Sequence, residues 1–295
     1  MSQERKALDA AAISMMVLLT ALWGFQQVTI KLIAADVSLV MQAAIRSVVA
    51  TALLFVWARA RGISLFSRDG TLAAGIAAGL LFGFEFVFIY GGLGHTNASR
   101  MSVFVYLAPP LTALGLHFFV RGERLGSVQW AGVAVAFAGL VLAFSEGFSS
   151  NLNTFWGDLC GVIAAVLWAA TTVLIRATRL AQATATKTLF YQLSVSALVL
   201  LIGSFALREP GVTAVTPLVV ASLAYQGAIV AFASYLAWFS LLTRYLAARL
   251  SVLSFLTPLF GMASGVVFLS EPLSARFAFA ALLIAAGIAL VNLRR

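Results

Sequence analysis

The sequence predicts an all-α membrane protein whose ten transmembrane helices form two five-helix repeats of inverted topology. Three observations carry this. Of 295 residues, 62% are hydrophobic and 10% charged, against about 45–50% and about 25% in soluble domains. The chain divides into ten apolar runs long enough to cross a bilayer, which takes roughly 20 residues rising 1.5 Å each. Its two halves resemble one another at offsets of 145 to 149 residues.

The runs are 11–34, 37–58, 71–91, 97–119, 127–145, 155–177, 186–207, 217–240, 246–269 and 274–293. They are separated by charges, glycines and prolines such as Arg121-Gly122-Glu123-Arg124, Arg208-Glu209-Pro210 and Glu271-Pro272. Unbroken apolar runs require helices, because barrel strands would alternate over about ten residues. The first run lacks a small-residue cleavage site and is too long for a signal peptide, so it is expected to stay as the first span.

Orientation follows from the basic residues. With the N-terminus in the cytoplasm, 14 of the 19 Lys and Arg residues lie inside: Arg5, Lys6, Arg59, Arg61, Arg68, Arg121, Arg124, Arg176, Arg179, Lys187, Arg244, Arg249, Arg294 and Arg295. Four lie outside: Lys31, Arg100, Arg208 and Arg276. This asymmetry places both termini in the cytoplasm of a cell (inner) membrane. The net charge of +9 is thereby an orientation signal, and no nucleic-acid partner is expected. The expected partners are the lipid bilayer and a small-molecule substrate.

The halves divide at residues 1–147 and 148–295. ALWGFQQVTIK from Ala21 matches VLWAATTVLIR from Val166, and ASRMSVFVYLAPPL from Ala98 matches AARLSVLSFLTPLF from Ala247. Gly122-Glu123-Arg124-Leu125 matches Ser270-Glu271-Pro272-Leu273, and Gly139 matches Gly287. Five spans per half is odd, so the second half enters the membrane from the other side. Inverted repeats of this kind occur in secondary transporters, with the substrate site at the midplane between the halves.

These motifs resemble the EamA-type family of the drug/metabolite transporter superfamily over nearly the whole chain. The carriers are LWG in the first span, Leu-x-Pro-hydrophobic in spans four and nine, and E-x-L after each. FEFVFIYGGLGHTNASRMSVFVYLAP and the Trp- and Tyr-rich interior look most like the YddG-type exporters of aromatic and other neutral amino acids. The resemblance implies export of small amphipathic metabolites by alternating access. Relatives that move nucleobases, vitamins or cationic drugs keep those cargoes open, as is a membrane scaffold subunit that transports nothing.

Candidate residues come from polarity inside the spans. Glu85 and Arg46 are the charges left in mid-span, where ionisable groups are costly and mark function. Glu85 suits a counter-charge for a substrate ammonium or a proton-coupling carboxylate. Their depths differ by roughly 5 Å at 1.5 Å per residue, so an ion pair is the alternative. Trp23, Gln26, Gln27 and Ile30 share one helical face, as do Trp168, Thr171, Thr172 and Ile175,. Such faces suit a cavity wall, or else helix–helix packing.

Tyr106 precedes Pro109-Pro110, and Pro258 holds the matching place in the second half. The prolines are candidate gate or hinge positions, or static kinks. Tyr235 and Trp238 close the pocket or, for Trp238 especially, belong to an interfacial aromatic belt. Tyr90 and His95 carry the same alternatives, and His117 reads as a solvated helix end. Glu123 and Glu271 are expected to cap the helices that follow them. Gly132, Ala136, Gly139, Ala281 and Ala285 allow close helix contact, either within a monomer or across a homodimer face.

Enzyme chemistry is not expected. The sequence has no GxxxxGK[ST] loop, GxSxG elbow or HExxH helix, and its one cysteine, Cys160, and two histidines form no metal-ligand cluster,. No catalytic residue, metal or cofactor is therefore predicted. A channel would show rings of filter residues, and none is apparent.

Overall fold

The computed structural model describes residues 9–120, 124–245, 250, 253–254 and 256–292. Among them the secondary structure is helical, apart from isolated bridge positions such as the antiparallel pair Val37 and Val212. In chain order the helices are α1 (Ala10–Leu32), α2 (Leu39–Ala60), α3 (Leu72–Gly92), α4 (Ala98–Val105), α5 (Ala108–Phe119), α6 (Ser127–Ser150), α7 (Leu152–Ala177), α8 (Ala185–Ala206), α9 (Pro217–Ala224), α10 (Tyr235–Arg244), α11 (Leu256–Leu269) and α12 (Ala275–Asn292). A π-helical segment, Tyr225–Ser234, joins α9 to α10.

Among the described residues, seven helical stretches are long and apolar enough to cross a membrane: α1, α2, α3, α4 with α5, α7, α8, and Pro217–Trp238. Three further apolar helices are shorter, Ser127–Ala143, Leu256–Leu269 and Ala275–Val291. Outward faces carry exposed apolar side chains such as Val56, Phe84, Val141, Ile202, Val267 and Leu282. A soluble bundle would place polar residues there.

The halves interleave. α1 packs on α11, α3 on α7 and α8, α2 on α8, α5 on α7, and α6 on α12. Glycines permit the closest of these approaches. A Cβ on Gly24 would meet the Gly261 backbone nitrogen at 2.7 Å, and one on Gly287 would collide with the Ala136 backbone nitrogen. The small-residue stripe of α6 and α12 thus packs within the chain, the first of its two expected roles.

The expected proline kinks take a different form. Span four breaks at Tyr106-Leu107, and Pro109 and Pro110 sit in the first turn of α5. Their missing N–H groups would have no intrahelical partner at that position, so the prolines start the helix instead of bending it. Pro258 likewise lies in the first turn of α11.

Two glutamates cap helices distant in sequence. Glu209 accepts from the backbone N–H groups of Val40 and Met41, both at 3.0 Å, at the start of α2. Glu271 accepts from Ala98 N at 2.7 Å and Ser99 N at 2.9 Å, at the start of α4. The expectation that Glu271 caps the helix after it is therefore wrong: the carboxylate serves the N-terminal end of α4. The residue before each glutamate has a left-handed backbone, Arg208 at φ 54° and Ser270 at φ 53°. That turn ends one helix and redirects the next side chain toward the bundle. Glu123 lies outside the described residues, as do Arg5, Lys6, Arg121, Arg249, Arg294 and Arg295.

The loop between α2 and α3 is pinned by Lys187, which is buried at the start of α8. Its ammonium donates to Ser67 O, Ser67 Oγ and Asp69 Oδ2, each at 2.8 Å. Lys187 holds the Asp69 carboxyl well below the usual carboxylate range, assisted by the Thr71 hydroxyl. A depressed carboxyl stabilises the fold above its unfolded value, near pH 4, and loses that contribution as pH falls through the folded value. Asp69→Asn is expected to lower the unfolding temperature by a constant amount from pH 8 to about pH 5. The difference should then shrink in stronger acid, as differential scanning fluorimetry would record.

Candidate functional site

A cavity of about 670 Å³ opens within the bundle, inside the range of roughly 300–1,000 Å³ that holds small ligands. It begins among Trp23, Glu85, Tyr106 and Trp168 and runs toward Leu116, Arg124, Gln129, Ile175 and Val291. The latter group lies where α5 and α7 end, α6 begins and α12 ends. The structure brings together all eight residues expected to bind substrate: Trp23, Gln26, Gln27, Glu85, Tyr106, Trp168, Thr171 and Tyr235. Thr172, Ile175 and Pro109 also line it, whereas Ile30, Pro110 and Pro258 do not.

Aromatic rings build the walls by edge-to-face contact. Trp23 meets Tyr235 at 6.5 Å and Trp238 at 5.9 Å between centroids, and Tyr106 meets Trp168 at 5.6 Å. Such pairs fix ring orientation at little entropic cost. Trp238 therefore belongs to the cavity wall, which corrects its belt reading. The Trp23 indole N–H donates to Ser234 Oγ at 2.8 Å. Ser234 ends the π-helical segment, a form that often marks functional positions.

Glu85 is buried, and its Oε2 has no hydrogen-bond partner. Arg46 is fully buried behind the cavity wall, its guanidinium 4.1 Å from the Phe86 ring centroid. Nη2 donates to the Tyr235 hydroxyl at 3.3 Å, while Nε and Nη1 have no partner. Among the described residues no salt bridge joins Arg46 to Glu85. The two charges are neighbours that do not neutralise one another by contact.

Tyr90, given above as an interface or pocket residue, is fully buried at the centre of a polar chain. Gln26 Nε2 donates to its hydroxyl at 3.3 Å, and the hydroxyl donates to Gln226 Oε1 at 2.8 Å. Gln226 Nε2 donates to Gln42 Oε1 at 3.2 Å. Gln42 Nε2 donates to the backbone carbonyls of Val37 at 2.9 Å and Ile30 at 3.2 Å. Sequence reading missed Gln42 and Gln226, although an amide inside an apolar run was the available signal.

The bundle end away from Arg124 and Gln129 is tied by charge. Arg100 donates through Nε to Asp158 Oδ1 at 3.0 Å and through Nη2 to Asp158 Oδ2 at 2.5 Å. It also reaches the Ala143 carbonyl at 2.9 Å and Glu146 at 3.4 Å. Thr96 Oγ1 donates to Asp158 at 2.7 Å, Lys31 donates to the Thr96 carbonyl at 2.9 Å, and Lys31 Nζ lies 3.7 Å from Glu271. His95 Nδ1 meets Asn153 Oδ1 at 2.6 Å. Asp158, fully buried, was overlooked in the sequence because it falls near the start of its run. At the opposite end, His117 Nδ1 accepts from the Leu125 backbone N–H at 2.9 Å, and its ring packs on Phe118 and Trp130. It is a half-buried residue of the last turn of α5 that also serves as a hydrogen-bond acceptor.

Among the described residues no group of three or more His, Cys, Asp or Glu side chains could hold a metal ion. The cavity can therefore bind by stacking, hydrogen bonding and one carboxylate.

The model of the EamA-like transporter family matches residues 10–145 and 155–293. An uncharacterised transporter of Bacillus subtilis (strain 168) is 27% identical over 68% of this chain, and the chain spans about 65% of that relative's length. A probable amino-acid metabolite efflux pump of Salmonella typhimurium is 26% identical, covering 74% of this chain and 75% of that protein. A crystal structure superposes with a TM-score of 0.66 at 24% identity, covering 95% of this chain and 97% of the other. That likeness supports the fold. Several span-like helices in a transporter family make this a multi-pass membrane protein.

Proposed function

The chain belongs to the EamA-like transporter family, and from that premise we propose that it is a secondary transporter exporting small amphipathic metabolites, foremost aromatic and other neutral amino acids, by alternating access. The observation that carries this is the cavity, in which aromatic rings surround Glu85 and the amides of Gln26 and Gln27. The rings would stack on an apolar side chain while the polar groups hold its amino-acid end. The efflux-pump relative supports this cargo class. Ten spans in two inverted repeats, divided at residues 1–147 and 148–295, would let the halves rock about this site.

In this reading both termini face the cytoplasm of the inner membrane, where the basic loops lie. The cavity then opens inward at Arg124 and Gln129, and the Arg100–Asp158 cluster closes the outside. Pro109 and Pro110, at the helix start beside the break in span four, and Pro258, in the first turn of α11, are the hinge candidates. Arg46 and Glu85 are the candidates for coupling transport to a proton. The chain has no expected catalytic role.

A second reading keeps the fold and takes a cationic drug as cargo. It draws on the same cavity, because Glu85 is its sole acidic lining residue among the described residues and aromatic faces attract cations,. Counterflow in proteoliposomes separates the two. Vesicles loaded with unlabelled phenylalanine, tryptophan or leucine are expected to accumulate the labelled amino acid with saturable kinetics. Flux of a lipophilic cation with no amino-acid flux would replace the first reading by the second. An imposed pH gradient that accelerates flux would assign proton coupling.

A further inference from the structure

The buried chain behind Gln26 has a direction that can be deduced from its far end. Gln42 faces two backbone carbonyls, those of Ile30 and Val37, and a carbonyl can only accept. Gln42 must therefore present its NH₂ there and its Oε1 to Gln226. Gln226 must donate to Gln42 and accept from Tyr90. The Tyr90 proton is then committed, so its oxygen receives the amide N–H of Gln26. Every alternative puts two acceptors or two donors face to face in a buried setting, which forfeits the bond and leaves desolvated groups unmade. Two main-chain carbonyls thereby dictate the amide orientation of a cavity residue four links away, leaving Gln26 Oε1 without a protein partner.

The neighbouring groups have the same polarity. Gln27 Oε1 and Glu85 Oε2 are buried oxygens lacking partners. The hydroxyl protons of Thr171 and Thr172 are spent on the Leu167 and Trp168 carbonyls, so these side chains offer lone pairs. The Trp23 N–H is spent on Ser234. The wall formed by α1, α3 and α7 thus presents mostly acceptors, the amide N–H groups of Gln27 being the exception, and carries one negative charge,.

We propose that this wall is a primary-ammonium site, and that Tyr90, Gln226 and Gln42 are positioning residues that set its polarity by locking the Gln26 amide with oxygen toward the ligand. The proposal rests on the cavity being the substrate site, but it concerns which group anchors there. A primary ammonium brings three N–H donors to these acceptors, a quaternary ammonium brings charge and none, and a carboxylate brings neither. The carboxylate of an amino acid is then dispensable for anchoring.

The test is direct binding to the purified protein, read from tryptophan fluorescence, since Trp23, Trp168 and Trp238 line the cavity. The probes are 2-phenylethylamine, its N,N,N-trimethyl derivative and 3-phenylpropionate. The primary amine is expected to bind at least tenfold more tightly than the trimethyl compound, with no saturable binding of the carboxylate. Tyr90→Phe is expected to cut that ratio at least threefold, because the Gln26 amide can then turn over. Gln226→Met is expected to do the same by a different cut in the chain, and either variant that folds suffices. Equal affinity for the primary and quaternary ammonium, no binding of the amine, or an unchanged ratio in both variants would overturn the proposal. Amine selectivity without amino-acid flux would overturn only the amino-acid cargo, and amino-acid flux without amine selectivity only the anchor.

Discussion

Asp158→Asn is expected to destabilise the protein and to open the end of the bundle opposite the cavity mouth. Arg100 is bound by both oxygens of Asp158 and is buried against the Phe277 ring at 4.4 Å. Removing one partner of a buried ion pair costs about 3–5 kcal/mol, because the remaining charge is left desolvated. Here Glu146 stands 3.4 Å from Arg100 and compensates part of the loss, so the low end, about 3 kcal/mol, is expected. The same substitution weakens the tie from Thr96, and through the Thr96 carbonyl it loosens Lys31 at the end of α1. Helices α1, α4, α6 and α7 are thus released at a common point. The readouts are a lower unfolding temperature in detergent and faster maleimide labelling of a cysteine placed at buried Ser102, in a Cys160→Ser background. If labelling at Ser102→Cys stays at the rate of the otherwise unchanged protein while the unfolding temperature drops, the cluster is structural only and does not hold this end shut.

Several of these features were legible in the sequence because polarity inside an apolar run is a one-dimensional signal. Glu85, Gln26, Gln27 and Thr171 stand out against their neighbours, and helical spacing puts the amides beside Trp23. All line the cavity. What stayed hidden depends on which span faces which. Tyr90 and Gln226 are 136 residues apart, and no local pattern says that α3 and the π-helical segment meet. Glu271 was assigned to the wrong helix because sequence proximity favoured α12. The left-handed turn at Ser270 sends its carboxylate to Ala98 and Ser99 instead. Trp238 was misread because position along a span gives depth but not rotation about the helix axis. Arg46 and Glu85 read as similar in depth, yet depth alone could not show that the Tyr235 hydroxyl takes a guanidinium N–H and that the Phe86 ring lies against its face.

Glu85→Gln is expected to reduce transport of amino acids at least thirtyfold while leaving the fold intact. Gln has nearly the same shape, so its fit in the cavity lining beside Phe82, Phe86 and Ile89 is kept. The loss is the negative charge at the cavity wall. For a desolvated charge pair that loss amounts to about 2–5 kcal/mol of binding, or roughly 30- to 4,000-fold at about 1.4 kcal/mol per decade. A structural partner of Arg46 would behave differently. Its removal would leave an uncompensated buried cation and destabilise the protein, and Arg46→Met would restore stability in the double variant. The geometry argues against that account, since no salt bridge joins the two and Arg46 spends its Nη2 on Tyr235 instead. The double-variant cycle decides it with two measurements, unfolding temperature and counterflow rate. A site role predicts that Glu85→Gln is stable and inactive and that adding Arg46→Met does not recover flux. If Glu85→Gln is unstable and the double variant regains both stability and flux, the carboxylate is a counter-ion for Arg46 and the substrate is held by the amides and aromatic rings alone.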